Sequence, residues 1–388
     1  RGDNLPSPLQ AYRPEQSTAN WEVGPVQREP PKEFAPQLVH QSEVAAKKPQ
    51  PAELPPEQRF DIGPPGSDTY KVFKRVDEHA MAVSQQTQNN FNQLIWQLIY
   101  ARNITDDLEK ARVIFLWLCT KDLHKMNFDH VKPDSPEDIL MGIRSGKSTY
   151  AQIFVTLCSY AGLHCKLITG YAKGAEYVPG MHFQGRQGQH SWNAVLVEGV
   201  WRLVDCHWAA RRLIGKVASV ENVRYELDMF YFLATPSQLI YTHYPHEQDW
   251  QLLRHPISLQ EFESLTPVKS AFFKYYLELV THRLAVIQGT EENIIKLAYP
   301  QELENQLSFT FTLQFEDGGE EHRGTPLSRY GRQDMNPWER TATFYLRPPK
   351  SGAYKVLLYA KCLSNETNTS KSGASDAFYG AVCEYRLE

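Results

Sequence analysis

From Phe91 onward, apolar positions recur at a helical period. Phe91, Leu94, Ile95, Leu98 and Ile99 stand at i, i+3, i+4, i+7 and i+8, which is one face of a helix. A second helix opens at a visible start signal. Asp106 can cap the first turn while Glu109, three residues on, completes a capping box, and Ala111, Ile114, Phe115 and Leu118 form the buried stripe. Ser135-Pro136-Glu137-Asp138 opens a third helix, with Ser as cap and Pro in the first turn; Gly142 and Gly146 end it. A fourth is expected from about Thr149 to Tyr160, burying Ile153, Phe154 and Leu157.

The pattern then turns to strands. Cys165 to Tyr171 reads as one strand. Trp192–Val197 and Val200–Val204 flank Glu198-Gly199, a two-residue hairpin turn. Residues 223–285 return to mixed, mainly helical texture, with a capping box at Ser258 and Glu261. From about Ile294 the chain reads as β: Leu307–Phe315, Arg340–Leu346 and Tyr354–Tyr359 are separated by Gly, Pro, Ser and Asn clusters, as in a small antiparallel sandwich. The expected fold class is α+β, with helices packed on an antiparallel sheet and a β-sandwich-like domain behind them. The expected divisions are residues 1–66, 67–285 and 286–388.

Composition sharpens the first of these divisions. Of 25 prolines, 13 lie in residues 1–66, where no apolar period is sustained. Proline removes backbone donors and biases its predecessor toward extended structure, so this stretch reads as a disordered, Pro-rich linker. The six cysteines, at 119, 158, 165, 206, 362 and 383, avoid it and show no Cys-x-x-Cys spacing. Such spacing suits neither a disulfide framework nor a zinc site, and it predicts buried, reduced thiols in a cytoplasmic protein. The net charge of −4, from 41 Lys+Arg against 45 Asp+Glu, lacks the basic excess of a nucleic-acid binder. The longest apolar run, Val113 to Cys119, falls far short of the roughly 20 residues of a membrane span. Gly142 to Thr149 superficially resembles a phosphate loop, but only three residues separate its glycines where four are needed, and a capped helix rather than a strand precedes it. His243, His246 and His255 have no metal-ligand spacing. No cofactor or metal is expected.

His190 and Asp205 carry the chemical signal. His190 begins the first strand of the hairpin and Asp205 ends the second, with an offset of about two residues across the turn. That offset is within reach of a His–carboxylate bond, given a stagger or bulge. Such a bond fixes the ring tautomer and supports an imidazolium. A nucleophile at the N-terminus of a nearby helix would complete a triad, because the helix end lowers a thiol pKa. Each residue also has a plain reading: His190 as a packed strand histidine, Asp205 as the cap of the following turn. Trp192 and Trp208 read as pocket walls or simply as core.

In this order of elements the chain resembles the transglutaminase-like superfamily, and within it the kyphoscoliosis-peptidase and hillarin branch. The resemblance is carried by Thr105 to Arg112, Pro136 to Leu140, Tyr150-Ala151, Leu157-Cys158, Ala161-Gly162, Gly170 to Gly174, His190 to Ala194, and Leu203-Val204-Asp205. Pro236, Trp250 to Leu253 and the β-rich tail continue it, so that it covers about residues 70–388. It implies a papain-like core with a Cys-His-Asp triad in which His190 and Asp205 are the second and third members, and Trp192, Trp208 and Tyr150 line the cleft. The first member departs from the pattern. The position three before the aromatic-Ala pair is Lys147, and anchoring on Gly146 gives Ser148 instead. Neither is a thiol. The resemblance therefore implies a scaffold that has lost its catalytic thiol, with cytoskeletal protein partners. The alternative is an acyl-transfer enzyme using Ser148 with His190 and Asp205.

Overall fold

The computed structural model describes residues 19, 29–52, 73–213, 221–363 and 379–388. The fold is mixed α+β. Among the described residues, no helix is long and apolar enough to cross a membrane. The chain divides into two compact units, one built from residues up to Tyr171, Gln189–Leu239 and Pro245–Pro256, the other from Ala172–Gly188, Ile240–Tyr244 and Ile257–Glu388.

The first unit is built around the helices that the apolar pattern predicts. A short helix α1 spans Gln41–Ala46, followed by α2 Lys74–Ser84, α3 Phe91–Leu98, α4 Asp107–Cys119, α5 Pro136–Arg144 and α6 Tyr150–Tyr160. Their starts follow local chemistry. Asp106 accepts from the amide of Glu109 at 2.9 Å, Ser135 accepts from Asp138 with Pro136 at the first position, and Thr149 forms a full capping box with Gln152. α4 is apolar beyond one face because it is central: every residue from Val113 to Cys119 is buried. Its N-terminal half is tied to α2 by a two-pronged ion pair, Arg112 Nε to Asp77 Oδ1 at 2.6 Å and Nη2 to Oδ2 at 2.7 Å. The guanidinium also lies over the ring of Phe73, 4.3 Å from its centroid.

Strands β1 (Cys165–Ala172), β2 (Gln189–Val197) and β3 (Val200–Val204) pair antiparallel in the order β3-β2-β1. Glu198 and Gly199 both take positive φ, 50° and 78°, as a type I′ hairpin turn requires. Asn193 is fully buried on β2, and its Nδ2 donates to the carbonyl of Ala151 at 3.0 Å, fastening the sheet to the first turn of α6.

Residues 29–52 depart from the expected linker. They pack on the first unit by side-chain and backbone contacts. Phe34 meets Trp96 and Tyr100 edge-on, each at 5.0 Å between ring centroids. Val39 exchanges hydrogen bonds with Ser159, Val44 of α1 is buried, and the Ala52 amide donates to the Leu252 carbonyl at 2.9 Å. Proline density predicted extended backbone there, and apart from α1 the stretch forms neither helix nor strand. It is nonetheless fixed, because a few apolar side chains find cover and the free amides find acceptors. The rest of residues 1–66 lies outside the described residues, apart from Ala19.

The second unit is a sandwich of two four-stranded sheets. Here the strands are β4 (Glu278–Leu279), β5 (Val286–Ile287), β6 (Asn293–Ala298), β7 (Leu307–Phe315), β8 (Gly331–Asn336), β9 (Thr341–Leu346), β10 (Tyr354–Cys362) and β11 (Gly380–Leu387). One sheet runs β7-β10-β11-β5 and the other β8-β9-β6-β4. Alternate residues of both sheets, among them Phe309, Leu313, Val356 and Leu358 facing Ile295, Leu297, Phe344 and Leu346, share one core. The unit begins well before residue 286. Helices α8 (Leu259–Ser264) and α9 (Ser270–Lys274) belong to it, because Phe272 joins that core and Val268 bridges to Cys383 of β11.

If residues 29–52 are integral to the first unit, Phe34→Ala should lower its unfolding free energy by about 1–2 kcal/mol, the scale of a half-buried aromatic contact. Glu33→Ala, at an exposed neighbouring position, should leave it unchanged. Urea unfolding midpoints of the two variants check this.

Candidate functional site

The β2–β3 register places Asn193 opposite Val204. Asp205 therefore leaves the ladder opposite Trp192, two residues from His190. The offset is spanned diagonally, without a bulge in that register. At Asp205 the chain turns into a short helix, α7 (Cys206–Ala210), while its amide donates to the Tyr231 carbonyl at 3.0 Å.

This turn gives the Asp205 carboxylate two tasks. Oδ1 accepts from the amides of His207 at 2.8 Å and Trp208 at 3.0 Å, capping α7. Oδ2 lies 2.6 Å from His190 Nε2. Asp205 is 1% exposed and the His190 side chain 12%. The plain and the chemical readings of Asp205 are thus both met by one side chain. With the carboxylate ionised, His190 donates through Nε2–H.

Aromatic rings enclose the imidazole. Trp192 stacks along it at 6.1 Å and Trp208 lies tilted against it at 5.7 Å. His207 meets it edge-on at 5.4 Å, and Tyr150, the first residue of α6, lies 5.6 Å from His207. Burial, with His190 and Arg211 adding to it, pushes His207 down to about 3, so its ring is neutral at pH 7. Arg211 Nη2 donates to its Nε2 at 3.2 Å, placing the proton on Nδ1. Burial also drives the Tyr150 hydroxyl upward, keeping it protonated. His207 was not legible as part of this group, although its position two residues after Asp205 on a capped turn was the available signal.

Lys147 and Ser148 form the turn that leads into α6. Both amides donate to the Gly142 carbonyl, at 2.8 and 3.1 Å, closing the C-terminus of α5. Gly146 supplies the left-handed step, with φ 74°. Ser148 Oγ rests against Gly142, only 3.0 Å from where a Cβ would stand, so Gly142 makes room for that hydroxyl. Lys147 is exposed and Ser148 half-buried. The six thiols are all buried. Burial pushes Cys119, Cys158 and Cys206 upward, away from the thiolate. Cys206, beside Asp205, packs against Cys119, whose Sγ donates to the Cys206 carbonyl at 3.5 Å.

Family patterns match both units. The Transglutaminase-like superfamily matches residues 99–206, which hold α4 to α6 and the hairpin with His190 and Asp205. The KY-like, immunoglobulin-like domain matches residues 259–388. The chain has a transglutaminase-like core and a KY-like, immunoglobulin-like domain. It is 36% identical over 328 residues to Hillarin of Drosophila melanogaster, covering 81% of this chain and 39% of that protein. It is 34% identical over 330 residues to Lim and transglutaminase domain protein ltd-1 of Caenorhabditis elegans, covering 82% and 44%. It is 29% identical over 326 residues to Kyphoscoliosis peptidase of Homo sapiens, covering 81% and 43%. The chain therefore spans about two fifths of the length of these relatives. In this transglutaminase-like core, the His–carboxylate pair sits on the hairpin, and the entrance to α6 carries no thiol.

Two measurements test the electrostatics of the pair. Asp205→Asn presents an N–H to His190 Nε2, so the ring proton should move to Nδ1, with a stability loss of about 1–2 kcal/mol from weaker capping and pairing. Long-range ¹H–¹⁵N correlation of the ring reads the tautomer, and an unmoved proton would mean that Asp205 does not set it. His207 supplies a pH dependence. Its folded value, about 3, lies below the 6.5 of an unperturbed histidine. Between these values the unfolded chain binds the extra proton, so stability falls as pH drops from 6.5 toward 3, by at most ~1.4 kcal/mol per pH unit. A His207→Gln variant should lose that slope in urea titrations across this window.

Proposed function

We propose that this chain is a transglutaminase-like scaffold module that holds a protein segment without turning it over. The observation that carries this reading is the chemistry of one position. Where the family resemblance calls for a thiol, at the entrance to α6, the chain has Lys147 or, on the other anchoring, Ser148. An acyl-thioester cannot form on an amine, and a cation at a helix N-terminus opposes the dipole. A site shaped for a low-pKa thiolate does little for the far less acidic serine hydroxyl. The six cysteines do not substitute, since all are buried.

In this reading His190 and Asp205 are the remaining members of a vestigial triad. Trp192 and Tyr150 are buried as core beside the pair, and half-buried Trp208 is the aromatic residue of the three with ring surface left to offer a bound segment. The partners are proteins of cytoskeletal structures, as the resemblance to the kyphoscoliosis-peptidase and hillarin branch implies. Buried, unpaired thiols support a cytoplasmic setting.

The test is incorporation of a labelled amine into a glutamine peptide by the unmodified chain, His190→Ala, Ser148→Ala and Lys147→Cys. The unmodified chain should stay at the uncatalysed background. Turnover that both His190→Ala and Ser148→Ala abolish would overturn the scaffold reading and establish a serine-based acyl transferase. Activity gained in Lys147→Cys, at least ~10-fold above background and lost again on adding His190→Ala, would place Lys147 at the old nucleophile position with the pair's geometry intact.

A further inference from the structure

The connection between β1 and β2 is long for a hairpin. Residues 172–188 group with the second unit, while Tyr171 before them and Gln189 after them belong to the first. Its stem is closed by Ala172 N–H donating to the Gly188 carbonyl at 2.8 Å. The next pairs of the ladder are Tyr171↔Gln189 and Gly170↔His190. His190 therefore stands at a ladder end, where strands fray most readily, directly after a loop of a length at which register usually loosens.

This loop is fastened instead. Lys173 has no exposed surface. Its Nζ donates to the carbonyls of Phe262 and Leu265, both at 2.6 Å, at the C-terminal end of α8. The ammonium also faces the rings of Phe262 and Tyr177, at 4.5 and 5.1 Å. Tyr177 OH donates to the Glu263 carbonyl at 3.1 Å. The Glu263 carboxylate accepts from the Phe183 amide at 2.7 Å and meets His182 Nδ1 at 2.7 Å. Phe183 stacks on Tyr177 and Phe262. Gly188 takes φ 69°, and a Cβ there would lie 2.3 Å from the Phe183 ring, so the return path of the loop is fixed against that ring. Burial pushes Lys173 down to about 7, against the pull of Glu263. A lysine held at such cost, with two carbonyls and a carboxylate arranged around it, belongs to a built fastening rather than to a solvated loop.

We propose that Lys173 and Glu263 are positioning residues for the His190–Asp205 pair: by locking the loop onto α8 they keep the His190 end of β2 in register, and release of the loop breaks the pair. Neither residue touches the imidazole; they act through the loop stem and the two ladder pairs beyond it. The device operates whether or not the pair supports turnover, so its failure and that of the scaffold reading are separate results.

The experiment uses the full chain, ¹⁵N-labelled, as Lys173→Met and Glu263→Gln variants. Lys173→Met keeps the aliphatic stem and removes the charge and both hydrogen bonds. Two signals are read: the His190 ring N–H resonance, visible because Asp205 shields it from exchange, and amide exchange along the chain. In Lys173→Met, amides of residues 172–190 should exchange at least ~10-fold faster, the His190 ring resonance should broaden or vanish, and amides of α6 and β9 should keep their protection. Glu263→Gln, close in shape to the original, should move both signals in the same direction and carries the decision if Lys173→Met does not fold. A persistent ring resonance alongside a fast-exchanging loop would overturn the proposal. So would a loop that stays protected in whichever variants fold.

Discussion

The site depends on how one buried carboxylate is compensated. Asp205 sits where β3 ends, out of contact with water, and an ionised group there is tolerable only with its oxygens occupied. One oxygen takes two amides of α7 and the other takes His190. The first arrangement starts a helix and the second orients an imidazole, so local folding and site geometry are satisfied together. Asp205 keeps its capping duty whatever side chain stands at the entrance of α6, and the helix it caps carries Trp208 and His207 into the same cluster. The pair is held by the fold's own requirements, independent of any reaction.

Much of this was legible in the residues. The helices α3 to α6 follow from apolar period and caps, and the β2–β3 hairpin follows from Glu198-Gly199. That turn sets the two-residue offset between His190 and Asp205. What the pattern missed has physical reasons. Gly331–Asn336 is an edge strand whose polar side chains need no alternation. Residues 257–274 read as an extension of the helical part because helical period says nothing about which core a helix joins, and Phe272 joins the sandwich. In the sequence Lys173 is one residue of the Gly170 to Gly174 stretch. Its burial is set by carbonyls at the end of α8, some ninety residues away in sequence, and no local pattern carries that information.

The turn at Gly146 to Thr149 is built from backbone bonds and one capping box. Its amides close α5 through Gly142, and Thr149 opens α6 through its capping box. Each is a common solution to a helix end, and neither depends on what side chain stands at Lys147 or Ser148. The backbone of the turn therefore places no demand of its own on the chemistry of the side chain at Lys147.

Residues 29–52 have a consequence for how the chain is made. Lys48 accepts from the indole of Trp201, and Ala52 donates to Leu252, contacts that span 153 and 200 residues of sequence. On a ribosome, residues 29–52 emerge long before these partners, so the contacts wait until the chain has grown through Trp201 and Leu252. Closing such long loops is slow compared with helix formation. The first unit is thus completed late and in the wrong order for the direction of synthesis. A nascent chain stalled between Ser159 and Trp201 would already hold the partners of Phe34 and Val39, while the Lys48 carbonyl and the Ala52 amide would still lack theirs.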